Sequence, residues 1–305
     1  MDALPQAPFH CPVMREECMA LLAPRRGGIY VDATLGLGGH AAAILAASAP
    51  DGRLIGMDRD PHALTIAKQN LREFGPRATL VRADFAQLRA MLLEMGVSHV
   101  HGLIADLGVS SLQLDSKERG FAFRYDAPLD MRMSATRGQT AEDVLASLSE
   151  GELADVLWRY GEERRSRAIA RAIVKARARG DLTSTAQLAA VVLGAVGRYG
   201  KSRVHPATRT FQALRIYVNE ELQQLERLLE DSPNVLCEGG VVVILSFHSL
   251  EDRMVKRAFR DAQVWHVLTK KPLTASLEER QANPRSRSAK LRAARRLGAE
   301  EMCSV

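Results

Sequence analysis

The sequence has few cysteines, few aromatic residues and no long apolar run. Its four cysteines show neither Cys-x-x-Cys pairs nor the His and Cys spacing of zinc sites, so we expect reduced thiols and no bound metal. No apolar stretch approaches the ~20 residues that a membrane-spanning helix needs, and the N-terminal residues lack the pattern of a secretory signal. These absences predict a cytoplasmic protein without disulfide bonds.

Composition and charge are those of a globular protein with a mild excess of basic residues. The 305 residues are 46% hydrophobic and 26% charged, which suits one large or two modest domains. The net charge is +6, and the basic residues concentrate in 159–179, 201–215 and 285–296. We interpret the first stretch as a solvated helix face. For the last stretch a solvated face and a polyanion-binding surface are equally good interpretations.

A glycine-rich turn early in the chain organises the rest of the sequence. An apolar run ends at Asp32, clustered glycines follow, and an alanine-rich stretch comes next. This pattern predicts the strand, tight turn and helix that open a nucleotide-binding βαβ unit. However, Gly36-x-Gly38-x-x-Ala41 also fits the pyrophosphate-binding pattern of nicotinamide and flavin enzymes. The turn alone therefore leaves the cofactor open.

Four acids narrow the choice of cofactor, because each closes an apolar segment where a strand should end. They are Asp32, Asp58, Asp84 and Asp106. In an open α/β sheet, ligands bind outside the carboxyl ends of the strands, so these acids should border one crevice. Carboxylates repel a pyrophosphate but attract a sulfonium. Asp58 also lies at the distance from the turn at which an acid reaches ribose hydroxyls. The pattern favours S-adenosylmethionine.

The remaining pattern predicts a parallel, doubly wound sheet that a helical segment interrupts. Strands and helices alternate up to residue 107, a long loop without clear period follows, and residues 140–199 are helical in pattern. We expect further helix at 207–230, strand at 238–247, helix at 250–261, strand at 264–268, loop at 272–284 and a helical basic tail. The predicted domains are a sheet core in two parts, 1–114 and 206–305, and a helical insertion at 115–205.

Seven ordered blocks between Asp32 and Arg292 carry a resemblance to a known family, and the match runs from His10 to about Arg296. They are Asp32-x-Thr34-x-Gly36-x-Gly38-Gly39-His40, Asp106-Leu107-Gly108-Val109-Ser110-Ser111-x-Gln113-Leu114-Asp115, Arg119-Gly120-Phe121, Leu129-Asp130-Met131-Arg132-Met133, the run from His205-Pro206-Ala207 to Arg215, Ser246-Phe247-His248-Ser249-Leu250-Glu251-Asp252-Arg253, and the run from Asn283-Pro284-Arg285 to Arg292. Together they closely resemble the ribosomal RNA small subunit methyltransferase H family of bacteria.

The resemblance implies a class I, Rossmann-like α/β methyltransferase fold with a helical insertion that recognises the substrate. The implied reaction is methyl transfer from S-adenosylmethionine to the exocyclic N4 of a decoding-centre cytidine in 16S ribosomal RNA. The implied cofactor contacts are Gly38, Gly39 and His40 at the methionine end, Asp58 at the ribose, Phe85 near the adenine, and Asp106 and Gln113. Asp32 and Asp84 are matched less securely, and the oligomeric state is open, with a homodimer only a hypothesis.

The catalytic residue is less clear than the cofactor site. DNA amino methyltransferases place an aromatic residue after the fourth strand, where it stacks on the extruded base. This chain has Asp106-Leu107-Gly108-Val109-Ser110 there, without an aromatic residue. We expect Asp106, or the carbonyl beside it, to accept a hydrogen bond from the amine. The alternates are Ser110, Asp130 and His248, and His248 is equally well interpreted as a structural residue that holds Glu251 or Asp252.

Six basic residues are candidates for contacts with RNA phosphates: Arg209, Arg215, Arg285, Arg287, Lys290 and Arg292. Three other functions remain as alternatives. A nicotinamide oxidoreductase rests on the glycine pattern alone, an RNA-binding or ribosome-assembly factor would keep the fold without turnover, and a DNA methyltransferase is disfavoured by the missing aromatic residue. Each differs from an RNA methyltransferase in the cofactor that it binds, in turnover, or in the nucleic acid that it modifies.

Overall fold

The structure of the chain, a computed structural model, describes residues 12–134, 138–197 and 205–298. Of the four cysteines, Cys18 is buried and Cys237 half-buried, and both are free thiols. Cys11 and Cys303 lie outside the described residues, as does part of the basic stretch 201–215. No helix in the described part of the chain is both long enough and apolar enough to cross a membrane.

Seven strands and thirteen α-helices occur in the described residues. The strands are β1 Ile29–Asp32, β2 Arg53–Asp58, β3 Ala78–Arg82, β4 Val100–Asp106, β5 Leu236–Ser246, β6 Trp265–Val267 and β7 Lys290–Arg296. The helices are α1 Arg15–Leu22, α2 Gly39–Ala47, α3 Pro61–Asn70, α4 Leu88–Glu94, α5 Ser111–Asp115, α6 Ala141–Ser147, α7 Glu150–Gly161, α8 Ser166–Ala178, α9 Thr185–Val196, α10 Ala207–Asn219, α11 Glu221–Val235, α12 Ser249–Ala258 and α13 Leu277–Ala282.

The strands form one sheet in the order β3-β2-β1-β4-β5-β7-β6. The first five are parallel, whereas β7 runs antiparallel to both β5 and β6. The order reverses direction at β1, between β2 and β4. In open α/β sheets such a reversal leaves a crevice at the carboxyl ends of the strands. The predicted α/β class, with a parallel doubly wound sheet, is confirmed.

Both faces of the sheet are buried, as the continuous apolar runs of its strands require. Successive side chains of a strand point to opposite faces. On β4, Leu103 packs into a core beneath α4, α11 and α12, and Ile104 packs into a second core beneath α1, α2 and α3. Val242 and Val243 divide between the two cores in the same way on β5. The sheet edge that carries Asp32, Asp58 and Asp106 is therefore held between two packed layers.

The prediction of a helical basic tail was wrong, because residues 290–296 form strand β7. The residues of this segment are lysine, leucine, arginine and alanine, which favour helix in isolation. Leu291 and Ala293 are fully buried, and the backbone pairs with β5 along one side and β6 along the other. Tertiary packing thus outweighs the local preference. The predicted loop at 272–284 also contains α13, and the predicted helix 207–230 is interrupted at Glu220, whose φ is +51°.

The chain divides into a sheet unit, residues 1–108 and 222–305, and a helical unit, residues 109–221. The sequence placed the insertion at 115–205. The division found in the structure extends further at both ends, because α10 belongs to the helical unit. Phe211 and Leu214 of α10 lie in the core of that unit, beside residues of α7 and α8.

Candidate functional site

The glycine-rich turn after β1 is hydrogen-bonded to two other strands of the sheet, β4 and β2. The Ala33 N–H donates to the carbonyl of Ile104 in β4 at 2.9 Å, and the Leu35 N–H donates to the carbonyl of Met57 in β2 at 2.8 Å. Further along, the Asn70 side-chain amide donates to the Leu37 carbonyl at 2.9 Å. The turn is therefore a fixed backbone element at the carboxyl edge of the sheet.

Two glycines of this turn have a backbone conformation that other residues rarely adopt. The φ angles are +52° at Gly36 and +85° at Gly38. A Cβ at Gly38 would also lie only 3.2 Å from the side chain of Leu71. Both positions need glycine for these reasons, which leaves a backbone surface that a ligand can approach closely.

Three of the four predicted acids are tied to this turn by hydrogen bonds. Asp32 Oδ1 accepts from the Thr34 N–H at 3.1 Å, and Asp58 Oδ2 accepts from the Gly36 N–H at 2.9 Å. The Asp106 N–H donates to Thr34 Oγ1 at 2.6 Å. The structure thus brings Asp32, Asp58 and Asp106 together at one edge, as the sequence predicts.

These three carboxyls have pKa values far above those of ordinary aspartates. Burial and the charges of Asp32 and Glu251 raise the pKa of Asp106 to about 8. Burial and the charge of Asp58 raise the pKa of Asp32 to about 7, against the hydrogen bond from Thr34. Burial raises the pKa of Asp58 to about 6, although the N–H groups of Asp60 and Gly36 act against this shift. A positive group beside these carboxyls would favour their ionised forms and would be attracted to them in return.

His40 lies beside Asp106 at the start of α2. Burial, together with the charge of Arg15, lowers the pKa of His40 to about 4, so the imidazole is neutral. Its Nε2 is 3.8 Å from Asp106 Oδ2. Within the described part of the chain, neither ring nitrogen of His40 has a hydrogen-bond partner, and Asp106 Oδ1 has none either. The three unsatisfied atoms are themselves buried, whereas the Asp106 side chain as a whole is 28% exposed, so its other oxygen is the accessible part of the carboxyl group.

Asp84 and Phe85 follow β3 on the other side of the turn. Asp84 Oδ1 lies 3.2 Å from Nε of Arg59, so this acid is already paired with a cation. Phe85 is half-buried and packs against the sheet core beneath α4 and α11. Both residues lie in the sheet unit, but Asp84 differs from the other three acids because it has its own positive partner.

His248 caps the helix that follows β5. Its Nδ1 accepts from the Glu251 N–H at 3.4 Å, so the ring proton must be on Nε2, which lies 3.2 Å from Glu251 Oε1. Glu251 Oε2 accepts in return from the N–H groups of Phe247 and His248. This reciprocal arrangement is a capping box, and it gives His248 a structural role at the start of α12.

The other predicted catalytic and cofactor residues belong to the helical unit. The Ser110 hydroxyl accepts from the Gln113 N–H at 3.3 Å, and Gln113 Oε1 accepts from the Ser110 N–H at 3.1 Å, which caps α5. Asp130 binds the guanidinium of Arg132 with both oxygens, at 2.8 and 2.9 Å. Burial acts to raise the pKa of Asp130, but the bonds from Arg132 outweigh it and the pKa is lowered.

The six basic candidates differ in exposure and in whether they bind a carboxylate of the protein. Arg209 and Arg287 are exposed and Arg285 is half-buried. Arg215 binds both oxygens of the buried Glu221, at 2.8 and 2.9 Å. Lys290 and Arg292 both bind Asp252, and Arg292 is only 6% exposed.

The sequence patterns did not indicate two side chains that hold the turn in place. Thr34 lies within the motif, but its spacing gives no sign that its hydroxyl would receive the Asp106 N–H. Asn70 ends α3 far from the turn in sequence. The pairing of β4 with β1 brings Asp106 to Thr34, and the return of the chain through α3 brings Asn70 to the turn.

The order of the strands, the antiparallel β7 and the acidic edge around a glycine turn define a class I methyltransferase, whose methyl donor is S-adenosylmethionine. This identification sets aside the nicotinamide oxidoreductase alternative. The chain belongs to the MraW methylase family, whose model matches residues 7–297. The predicted family is thereby confirmed.

Several relatives cover nearly the whole chain. The ribosomal RNA small subunit methyltransferase H of Sorangium cellulosum is 53% identical over 297 residues, which are 97% of this chain and 94% of that protein. The protein of the same name from Syntrophus aciditrophicus is 49% identical over 95% of this chain and 98% of its own length. Among solved structures, an rRNA methylase from Streptococcus thermophilus is a remote likeness, with a TM-score of 0.40 and 13% identity over 97% of this chain and all of that one.

Proposed function

We propose that this protein transfers a methyl group from S-adenosylmethionine to the exocyclic N4 of a cytidine in 16S ribosomal RNA of the small subunit. The observation that carries the proposal is the cluster of Asp32, Asp58 and Asp106 around the glycine turn, three carboxyls with raised pKa values. The choice of ribosomal RNA rests on the relatives named above. The choice of cytidine N4 rests on the sequence blocks that resemble the family.

The acidic edge fits the cofactor because the charges of the two are complementary. S-adenosylmethionine supplies an electrophilic methyl group on a positively charged sulfur, together with an ammonium group. Buried carboxyls with high pKa values become ionised, and the complex is stabilised, when a cation lies beside them. A pyrophosphate at the same edge would add negative charge where three carboxyls already repel one another.

Individual residues can be assigned to parts of the cofactor on this basis. Gly38 and Gly39 present backbone to the methionine end, and neutral His40 offers an unpaired ring nitrogen there. Each Asp58 oxygen accepts one backbone hydrogen bond, which fixes the carboxylate and leaves further lone pairs for the ribose hydroxyls. Phe85 lies after β3, near the expected adenine.

Asp106 is the best placed acceptor for the amine that receives the methyl group. The lone pair of the cytosine amine is delocalised into the ring, so an acceptor that bonds its N–H groups makes the nitrogen more nucleophilic. After methyl transfer the nitrogen must lose a proton, and a carboxylate can take it. Asp106 Oδ1 is buried and has no partner in the described part of the chain, and the side chain as a whole is partly exposed, so the carboxyl group lies at the boundary between the core and the space open to a ligand.

The alternates are less suitable because their polar atoms already have structural partners. The Ser110 hydroxyl caps α5, Asp130 holds Arg132, and His248 caps α12. An acceptor that already holds a cation is a weaker base than one that does not. We therefore assign the amine contact to Asp106.

Among the basic candidates, Arg209 and Arg287 are the most accessible for phosphate contacts because both are exposed, and the half-buried Arg285 remains a further candidate. Arg215, Lys290 and Arg292 bind carboxylates within their own units, and breaking those bonds would leave a buried acid unpaired. We expect RNA affinity to fall steeply with salt, by roughly one released counterion per contacted phosphate.

The test is a methyl-transfer assay with labelled S-adenosylmethionine on small-subunit particles, followed by mass analysis of the RNA. The proposal expects one methyl group on the N4 of one cytidine. It also expects that group to be missing from 16S RNA of cells that lack the protein. Methyl groups on DNA or at another position of the RNA would contradict the proposed substrate. Cofactor binding without any transfer would support an assembly factor instead.

A further inference from the structure

Trp158 is the most exposed aromatic side chain among the large hydrophobic residues that the structure describes. It is 57% exposed and lies in the last turn of α7, within the helical unit. The other tryptophan, Trp265, is 5% exposed in the sheet core. An indole ring has a large apolar surface, and leaving it in water forgoes the gain from burying it. A single exposed apolar side chain needs no explanation by itself, so the charges around Trp158 must show whether it belongs to a contact surface.

Basic residues surround the point where α7 ends and α8 begins. Arg159 follows Trp158 directly, Arg164 lies in the short link between the helices, and Arg167 lies in the first turn of α8. All three are exposed, and in the described part of the chain none of their guanidinium groups has a hydrogen-bond or ion-pair partner. Arg209 of α10 also lies at this point, because its Nη1 donates to the carbonyl of Glu162, the residue that follows α7.

The positive charge continues along α8. Its exposed face carries Arg167, Arg171 and Lys175 at intervals of four residues, which places them on one side of the helix. The helix contains no acid. Arg171 contacts Glu150 at 3.4 Å, but both side chains are exposed, so this ion pair neutralises the stripe only weakly.

Two exposed acids lie within about one helical turn of Trp158, Asp155 on α7 and Glu162 just after it, and they offset part of the positive charge. The carboxylate of Glu163 is turned inward, where it accepts from the Arg165 N–H. Four guanidinium groups thus face two exposed carboxylates. The corner thus combines an exposed aromatic ring with an excess of guanidinium groups. Proteins that bind single-stranded nucleic acid use this combination, because bases stack on the ring while arginines contact the phosphates.

We propose that the corner around Trp158 binds a single-stranded segment of the RNA substrate, with one base stacked on the indole and Arg164, Arg167 and Arg209 against the phosphates. This inference rests on the proposed function for its choice of RNA. A structured duplex would not fit the same surface, because paired bases are not available to stack on a side chain. The surface lies entirely within the helical unit.

The first experiment measures binding of a fluorescein-labelled single-stranded RNA of about 15 nucleotides by anisotropy. Trp158→Ala should weaken binding by roughly 5- to 100-fold, and Trp158→Phe should restore most of it, since a phenyl ring also stacks. Leu193→Ala, which removes another exposed apolar side chain of the helical unit, is the matched control and should bind RNA like the unaltered protein. Equal affinity in Trp158→Ala would overturn the proposal.

The second experiment uses the two tryptophans as reporters. RNA should quench the emission of the unaltered protein, because the exposed indole stacks on a base. In Trp158→Phe only the buried Trp265 remains, and RNA should leave its emission nearly unchanged. Quenching that persists in this variant would contradict stacking at Trp158. Equal quenching by duplex RNA or by polyglutamate would also contradict it, and would indicate a general attraction for polyanions or for an acidic protein.

The third measurement is the salt dependence of binding. Arg167→Glu should reduce the slope of log affinity against log salt by about 0.7 per lost phosphate contact, and Arg89→Glu, on α4 of the sheet unit, should not change it.

These three binding measurements do not depend on turnover, so they test the inference separately from the proposed function. If particles are methylated but the Trp158 variants bind RNA normally, the proposed function stands and this inference fails. If no RNA is methylated but the Trp158 variants lose RNA binding and quenching as expected, the proposed function fails and this inference stands.

Discussion

Aspartates of the sheet unit and of the helical unit have pKa values that are shifted in opposite directions. Asp32, Asp58 and Asp106 in the sheet unit have raised pKa values, because burial disfavours their charge and neighbouring acids add to the effect. Asp130 in the helical unit has a lowered pKa, because Arg132 holds both of its oxygens. Arg132 thus stabilises the charged form of Asp130, whereas burial disfavours the charged forms of the three acids in the sheet unit.

The difference shows that burial alone does not identify a functional carboxylate. Asp252 in the sheet unit is half-buried, yet Arg292 and Lys290 lower its pKa against the effect of burial. In the described part of the chain, no charged partner reverses the raised pKa values at the candidate site: the charge of Arg59 only reduces the shift of Asp58, and His40 beside Asp106 is neutral. Protein folds seldom retain unpaired buried acids without a use for them.

The largest effect is expected from Asp106→Asn, which removes the carboxylate assigned to the cytidine amine. Turnover should fall by roughly 10²- to 10⁴-fold, because the amide cannot take the proton that the amine loses. Single-turnover methyl transfer at saturating cofactor measures this step directly. Asp51→Asn, at an exposed acid of the same unit, is the control and should keep full activity. Comparable rates in the two variants would remove Asp106 from the chemistry.

The next effect concerns the ribose contact that we propose for Asp58. Asp58→Asn should weaken S-adenosylmethionine binding by roughly 10- to 100-fold, because an amide replaces a charged acceptor of two hydroxyl groups. Calorimetry with the cofactor measures this loss. Turnover at saturating cofactor should change much less, which separates a binding role from a catalytic one. Unchanged cofactor affinity would place the ribose elsewhere.

Stability should respond with opposite signs in the two units. A carboxyl whose pKa is raised by folding binds more protons in the folded state, so its contribution to stability is lost as pH rises through the window from about 4 to the folded value. At pH 8, Asp106→Asn should therefore raise the free energy of unfolding without cofactor, by roughly 1–3 kcal/mol. Asp130→Asn should lower it by roughly 1–2 kcal/mol, since Arg132 loses its partner.

Denaturant titrations of both variants at pH 6 and pH 8 test this pair of predictions. The gain from Asp106→Asn should shrink at pH 6, where the carboxyl is protonated in the folded protein. A loss of stability in both variants would show that the two acids have the same structural role, and the contrast between the units would then fail.

The smallest effect is expected at His248. His248→Ala should cost about 1 kcal/mol through the lost cap of α12, and His248→Asn should recover most of it, because asparagine is a good N-cap residue. Thermal unfolding measures the two changes. If His248→Asn keeps its stability but loses methyl transfer, the histidine has a chemical role in addition to the cap.

The sequence predicted the sheet and its acidic edge well because both depend on local patterns. Apolar runs that end in an acid, separated by helices, specify the strands that carry Asp32, Asp58 and Asp106. Strand β7 was missed because its arginines and alanines favour helix, and only pairing with β5 and β6 makes it a strand. The sequence offered Glu251 as one of two partners of the structural interpretation of His248, and the structure shows that contact. The pairing of Asp130 with Arg132 was not predicted, since rotamers decide which nearby groups bond. Trp158 offered no signal, because exposure depends on the packing of α7 against other helices.

Proton release on cofactor binding tests the central claim most directly. At pH 7 the free protein holds protons on Asp106 and partly on Asp32, and a bound cation should displace them. Calorimetry with S-adenosylmethionine in buffers of different ionisation enthalpy should show release of roughly one proton per cofactor, reduced in Asp106→Asn. S-adenosylhomocysteine, which lacks the sulfonium charge, should release less. Binding with no proton release, or with proton uptake, would contradict the account of an acidic edge that awaits a cation.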